Sequence, residues 1–140
     1  MLKPYLLHPI AVHFPIALLT AGLAAASADR RWPGKGLAQA ASLLLWGGTL
    51  GAWAALGLGL LAENTAPHVP SAWEVLEAHE TLAFWAAGLF TGLSLWRWRW
   101  REKWPLVFLG AWVLCIGVLV ATAYKGGELV FTHGMGVEPK

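Results

Sequence analysis

Four long apolar runs constrain this 140-residue chain more than any other feature. They cover about residues 9–28, 37–62, 72–96 and 105–124, and each is long enough to cross a bilayer as a helix of about 20 residues. Only 13% of the residues are charged, whereas water-soluble domains carry about a quarter. We therefore predict an all-α integral membrane protein, in which residues 1–140 form one domain with four transmembrane helices in a bundle. Gly126-Gly127 is expected to end the last helix, which leaves residues 125–140 as an outer C-terminal cap.

Basic residues cluster in two of the three predicted loops, and this sets the predicted orientation. Seven of the ten basic residues lie there: Arg30, Arg31, Lys35, Arg97, Arg99, Arg101 and Lys103. By the positive-inside rule these loops face the cytoplasm. We therefore predict a multi-pass protein of the bacterial inner membrane with both termini on the outer, periplasmic side. Its partner is the lipid bilayer, and a net charge of +2 gives no reason to expect nucleic acid.

Small residues at helical spacing predict where the helices meet. Gly47, Gly51 and Ala55 share one face of helix two, and Gly88 and Gly92 share one face of helix three. Small side chains let membrane helices approach closely. We expect both faces to be packing seams inside the bundle rather than contacts between two copies.

All five histidines fall on the predicted periplasmic side, and they are the candidate functional residues. A rise of about 1.5 Å per residue puts His13 in helix one and His79 in helix three at a similar depth. Two imidazoles on different helices at matching depth commonly bind a low-spin haem b through its iron. We predict His13 and His79 as this pair. His8 and His133 form a second, shallower pair that could bind another cofactor, a haem propionate or a metal ion, and His68 is expected to be exposed.

Other interpretations of these histidines stay open. His13 could bond a backbone carbonyl left without a partner by Pro15, and His79 could lie on a solvated acidic face beside Glu77 and Glu80. Alternatively, two to four of the histidines hold copper or zinc, with one of these glutamates completing the site. The single cysteine, Cys115, excludes an internal disulfide and any thiolate-rich zinc or iron–sulfur site in this chain.

The segment after helix four is unusually apolar for a terminal tail. Two glycine clusters flank a short apolar stretch, residues 128–133, and Met135 follows. Disordered tails are poor in apolar residues. We therefore expect this segment to fold back over the outer mouth of the bundle and to place His133 and Met135 near it.

Two motifs resemble those of a known bacterial membrane family. Leu7-His8-Pro9-Ile10-Ala11-Val12-His13-Phe14-Pro15 and Gly126-Gly127-Glu128-Leu129-Val130-Phe131, followed by His133-Gly134-Met135-Gly136-Val137, are similar to the family catalogued as domain of unknown function 2231. The resemblance covers nearly the whole chain and implies four membrane helices with histidines at positions 8, 13, 79 and 133. It also implies proximity to redox and cytochrome genes, but no settled activity. Phe131 stands where the family often has Tyr.

These observations favour an electron-transfer protein over a stand-alone enzyme. The sequence has no nucleophile elbow, no zinc-protease motif and no phosphate-binding glycine loop. We expect a haem b protein or a subunit of a membrane redox complex, with a periplasmic cytochrome or a neighbouring membrane subunit as its redox partner. The alternatives are a copper or zinc protein and a cofactor-free accessory subunit of a larger membrane complex.

Overall fold

The structure, a computed structural model, describes residues 3–100 and 103–137, and these residues are helical apart from short connections. A turn of 3-10 helix at Pro4–Leu6 leads into α1 (Leu7–Ala11) and α2 (His13–Arg31). The long helix α3 (Leu37–Thr65) follows. A second 3-10 turn at Pro70–Ala72 precedes α4 (Trp73–Arg99) and α5 (Pro105–Phe131). The all-helical prediction is confirmed for the described residues.

Within residues 3–100 and 103–137, three segments are long and apolar enough to cross a membrane, where the sequence predicted four. They are Pro4–Arg31, Leu37–Thr65 and Pro105–Phe131. The remaining long helix, α4, has 27 residues but carries glutamates in its first turns and arginines in its last. The three apolar segments therefore indicate a membrane protein. Helix α4 is the fourth long helix of the bundle.

The helices form two antiparallel hairpins that pack side by side. Helix α2 packs mainly on α3, α4 packs mainly on α5, and contacts between α3 and α4 join the two pairs. Leu19, Leu45, Phe90 and Trp112 are fully buried, so each of the four long helices contributes to the centre of the core. Large apolar side chains also cover the outside, as expected where lipid replaces water.

This arrangement defines two ends of the bundle. One, which we call the histidine end, is built from α1, the end of α3, the start of α4 and the end of α5. The other, the arginine end, is built from the end of α2, the start of α3, the end of α4 and the start of α5. Which end faces the periplasm is not fixed by the fold and stays a prediction.

The first predicted helix is broken near its start. Helix α1 ends at Ala11, Val12 is a turn residue, and α2 begins at His13. Pro15 has no backbone N–H to donate to the carbonyl of Ala11, which is four residues earlier, so the helical ladder loses a bond there. Val12 keeps helical dihedral angles, so the break is a local loss of hydrogen bonding.

The prediction that Gly126-Gly127 ends the last helix is wrong. Helix α5 continues to Phe131, and the N–H of Thr132 still donates to the carbonyl of Glu128. A glycine weakens a helix by only about 0.5–1 kcal/mol relative to alanine, and tertiary contacts at Gly126 outweigh this cost. The segment that follows the last helix therefore begins at Thr132 rather than at residue 125.

One of the two predicted glycine seams is also wrong. A Cβ added to Gly51 would lie 3.4 Å from Pro15, and one added to Gly48 would lie 2.5 Å from Leu19, so α3 does use its glycines to approach α2. Gly88 and Gly92 on α4 are exposed, and an added Cβ would meet nothing within 4 Å. The seam on α4 instead uses Ala86, Ala87 and Ser94, which are buried.

Candidate functional site

Two histidines meet at the histidine end of the bundle. His8 comes from α1 and His79 from the second turn of α4, and both side chains are partly buried. Their ring centroids lie 6.1 Å apart, and the two ring planes are nearly perpendicular, at 84°. One imidazole from each half of the chain therefore reaches the same place.

His8 is oriented by the neighbouring helix α3. Its Nδ1 lies 2.8 Å from the carbonyl oxygen of Ala55. Gly59, one turn further along α3, leaves room for the ring, since a Cβ there would lie 3.1 Å from Cε1 of His8. Because a carbonyl only accepts, Nδ1 carries the proton and donates it. The lone pair of this imidazole is then on Nε2.

His79 makes an equivalent pair of contacts with α5, one with a backbone carbonyl and one with a glycine. Its Nδ1 donates to the carbonyl oxygen of Thr122 at 2.9 Å, and a Cβ on Gly126 would lie 3.1 Å from its Cε1. Gly126 follows Thr122 by four residues, as Gly59 follows Ala55. Metal-binding histidines commonly donate their second ring nitrogen to a carbonyl, which fixes both the ring orientation and the tautomer. Both imidazoles are thus prepared to offer Nε2 to an electrophile.

The two rings line a cavity of about 120 Å³ whose walls are mostly apolar. The remaining polar groups in the wall are Tyr5, Glu63 and Glu80. Glu63 on α3 and Glu80 on α4 both line the cavity and lie close enough to interact electrostatically. The apolar wall comes from four segments and includes Pro9, Leu56, Leu60, Leu76, Ala83, Phe84, Leu129, Val130 and Met135.

A family model described as "Predicted membrane protein (DUF2231)" matches residues 5–139. The chain belongs to this family. No curated protein and no solved structure matches the DUF2231 chain. The family assignment confirms the resemblance carried by the two terminal motifs and the membrane character of the protein, and it names no activity.

The DUF2231 structure does not bring all four candidate histidines together. His13 is exposed and is not among the residues that line the cavity, so the histidine beside His79 is His8 and not His13. Two positions five residues apart differ by about 140° around a helix, so His8 and His13 could not share a face even in an unbroken helix. Depth alone suggested His13, and this angular offset is the reason that the structure differs.

The C-terminal segment is placed over the cavity in part as expected. The N–H groups of Gly134 and Met135 donate to the carbonyls of Val130 and Leu129, so the chain turns back on the end of α5. Gly134 has a φ of +65°, which allows this turn. Met135 lines the cavity, whereas His133 is partly buried outside it. His68 is exposed, as predicted.

Among residues 3–100 and 103–137, no group of three or more His, Cys, Asp or Glu side chains is arranged to hold a metal ion. The site in this part of the chain is a pair of imidazoles with a nearby pair of carboxyl groups. The sequence pattern does not identify Gly59, Thr122 or Glu63 as part of a site, and it assigns Ala55 only to a packing seam. Gly126-Gly127 is a visible signal, but it predicts a helix end rather than space for an imidazole.

Proposed function

We propose that this DUF2231 protein is a haem b electron-transfer protein or redox-complex subunit, in which His8 and His79 are the two axial ligands of the haem iron. The observation that carries the proposal is the 6.1 Å separation of the two ring centroids. Nε2 of each ring is the nitrogen left available by the bonds to Ala55 and Thr122.

The separation matches two imidazoles on opposite sides of one metal atom. A metal–imidazole bond is about 2 Å long and the ring centre lies about 1 Å behind the nitrogen, so two such rings have centres about 6 Å apart. A tetrahedral site would bring the rings closer and would need further protein ligands. The described residues supply no third ligand in such an arrangement. Two imidazoles at this separation would suit an iron whose remaining positions are taken by a porphyrin.

The walls suit a porphyrin chemically, but the enclosed space is small. Cofactor pockets usually measure about 300–1,000 Å³, against about 120 Å³ here. A porphyrin held by His8 and His79 would therefore extend beyond this cavity.

The residues of the site would hold and tune the haem, which itself supplies one-electron transfer between its ferric and ferrous states. The carbonyls of Ala55 and Thr122 keep both rings oriented and make Nε2 more basic. Apolar walls exclude water from the iron. The haem would lie at the histidine end, which the positive-inside rule places on the periplasmic side if all four long helices cross the membrane. A periplasmic cytochrome or an adjoining membrane subunit is then the expected redox partner.

The decisive experiment is an absorption spectrum of the purified full-length protein from haem-sufficient cells. We expect a reduced Soret band and α-band typical of low-spin haem b, lost on His8→Ala or His79→Ala and retained on His13→Ala or His68→Ala. Loss on His13→Ala with retention on His8→Ala would restore the pairing of His13 with His79. A colourless protein would refute the proposal.

The alternatives give different results in the same preparation. A copper or zinc protein would contain about one metal atom per chain by elemental analysis without a Soret band, and Glu80 would be the extra ligand to test. An accessory subunit would co-purify at fixed stoichiometry with a larger complex and contain neither. Either finding would replace the haem proposal.

A further inference from the structure

A second cavity, of about 400 Å³, lies at the arginine end of the bundle. It is formed where the end of α2, the start of α3, the end of α4 and the start of α5 come together. Among the described residues, three cationic side chains line it, Arg30, Arg97 and Lys103, against one carboxylate, Asp29. The described part of the wall is therefore richer in cations than in carboxylates, and it lies at the end opposite to the histidines.

Two of these four charged groups are fixed parts of the fold. Arg97 donates from Nη2 to the carbonyl of Ala38 at 2.8 Å and from Nε to Oγ of Ser42 at 3.0 Å. Oδ1 of Asp29 accepts the N–H of Ala38 at 3.2 Å, so its negative charge is directed at the start of α3. Arg30 and Lys103 are exposed at the rim. They belong to segments that approach each other only in the folded bundle.

The rest of the lining is aromatic and apolar. It includes Trp96 and Trp100 from α4, and Phe108 and Leu109 from α5. Indole rings prefer the level of the lipid headgroups in a bilayer. A cavity with cations at its rim and apolar walls between membrane helices suits an amphiphile with a phosphate better than it suits a small soluble anion.

We propose that this cavity binds the phosphate headgroup of an anionic phospholipid. Arg30 and Lys103 contact the phosphate, and the glycerol and first acyl carbons lie against Trp96 and Phe108. Basic pockets between membrane helices are known to bind anionic headgroups, and guanidinium groups match phosphate oxygens in geometry. The proposal does not depend on the haem site at the other end.

The test uses the full-length protein in a non-ionic detergent, titrated with phosphatidylglycerol and read by native mass spectrometry. We expect one phosphatidylglycerol to bind in preference to phosphatidylcholine with the same acyl chains. Each cation near an anionic lipid contributes about fivefold in affinity, so the double variant Arg30→Gln and Lys103→Gln should bind about 30-fold more weakly. Both side chains are exposed, so the fold is expected to persist, which circular dichroism would verify.

The matched control removes two charges from the same end without touching the cavity. Lys35→Gln with Arg31→Gln should leave the affinity close to that of the wild type, because neither residue lines the cavity. If the double variant does not fold, the single reversal Arg30→Glu serves instead, and an unchanged affinity there would refute the proposal. Equal losses in the double variant and in the control would indicate general surface attraction and overturn it. Inorganic phosphate binding as tightly as the lipid would overturn the lipid assignment in favour of a soluble anion.

Discussion

Replacing Gly126 with alanine is expected to displace the imidazole of His79 and weaken ligand binding at the histidine end. The added methyl carbon would lie 3.1 Å from Cε1 and 3.5 Å from Nδ1 of His79. An ordinary carbon contact needs a few tenths of an ångström more. Because the ring also donates to the carbonyl of Thr122 on the same helix, a shift away from the added methyl group strains that 2.9 Å hydrogen bond.

The size of the effect follows from three contributions. Overfilling a packed site costs about 1–3 kcal/mol, and this includes weakening a hydrogen bond that is itself worth about 0.5–1.5 kcal/mol. Replacing glycine by alanine within a helix stabilises the folded protein by about 0.5–1 kcal/mol. The net loss in the free energy of unfolding is therefore about 1 kcal/mol. If His79 binds metal, losing its orienting bond should also lower metal or haem affinity by about 10- to 100-fold.

Gly117→Ala is the matched control, because it makes the same chemical change in the same helix at a position where an added Cβ meets nothing within 4 Å. Both variants would be measured by thermal unfolding in detergent and by haem content per chain. We expect Gly117→Ala to have a thermal stability and haem content equal to or above those of the wild type. We expect both quantities to be lower in Gly126→Ala. Equal behaviour of the two variants would show that His79 does not pack on Gly126, and the site geometry would then be wrong.

Three further substitutions test the packing that positions the site, each by the change in the free energy of unfolding. Gly48→Ala should destabilise by about 2–3 kcal/mol, because its methyl would lie 2.5 Å from Cγ and 3.2 Å from the backbone nitrogen of Leu19; a loss below that of Gly126→Ala would contradict this. Arg97→Gln should cost about 1–3 kcal/mol, since its two charged hydrogen bonds join α4 to the start of α3, and a neutral result would mean that they do not persist in the membrane. Thr49→Val should cost about 1–2 kcal/mol by leaving the buried Ser94 hydroxyl without its 2.9 Å partner. Equal stability of that variant would show that Ser94 has found another acceptor.

The helices could be predicted from sequence because lipid-facing helices are apolar nearly all round, so their length and composition identify them. The prediction of a membrane-spanning helix is weakest where a helix contains both apolar and charged residues. Helix α4 carries Glu74, Glu77 and Glu80 near one end and is therefore more polar than a typical span. Its place in the bundle follows from its packing against α3 and α5. Amino-acid composition does not predict this packing.

The ends of helices were predicted less well than their centres. The pair Gly126-Gly127 predicts a helix end, whereas in the structure the absence of a side chain at Gly126 leaves room for the His79 ring. Local propensity favours ending the helix, but the imidazole contact comes from α4, some 47 residues earlier in the chain. Whether Gly88 and Gly92 contact other helices is equally absent from the local sequence. Their spacing suggests a packing seam, although both are exposed. A small residue indicates that a close approach is possible, not that one occurs.

The sequence suggested His79 and Met135 for the candidate site, and both line the cavity. The structure pairs His79 with His8, whereas the sequence prediction paired it with His13. The choice of His13 over His8 rested on depth alone. The rotation between positions 8 and 13, together with the break at Val12, decides which imidazole faces inward. Depth along a helix and angle around it are independent, and only the first was used.

The two halves of the bundle treat their histidines in the same way, although no repeat is visible in the sequence. Each imidazole bonds a carbonyl of a helix in its own half, 47 residues later for His8 and 43 for His79. In both cases a glycine four residues beyond that carbonyl makes room for the ring. The two rings then meet across the contact between the halves. A metal or haem held by both rings would therefore link the two hairpins directly. Because it binds only the assembled bundle, it would stabilise that assembly by about 2.7 kcal/mol at a hundred times its dissociation constant. The arrangement thus couples occupancy of the site to the association of the two hairpins, which is where the packing between helices is least extensive.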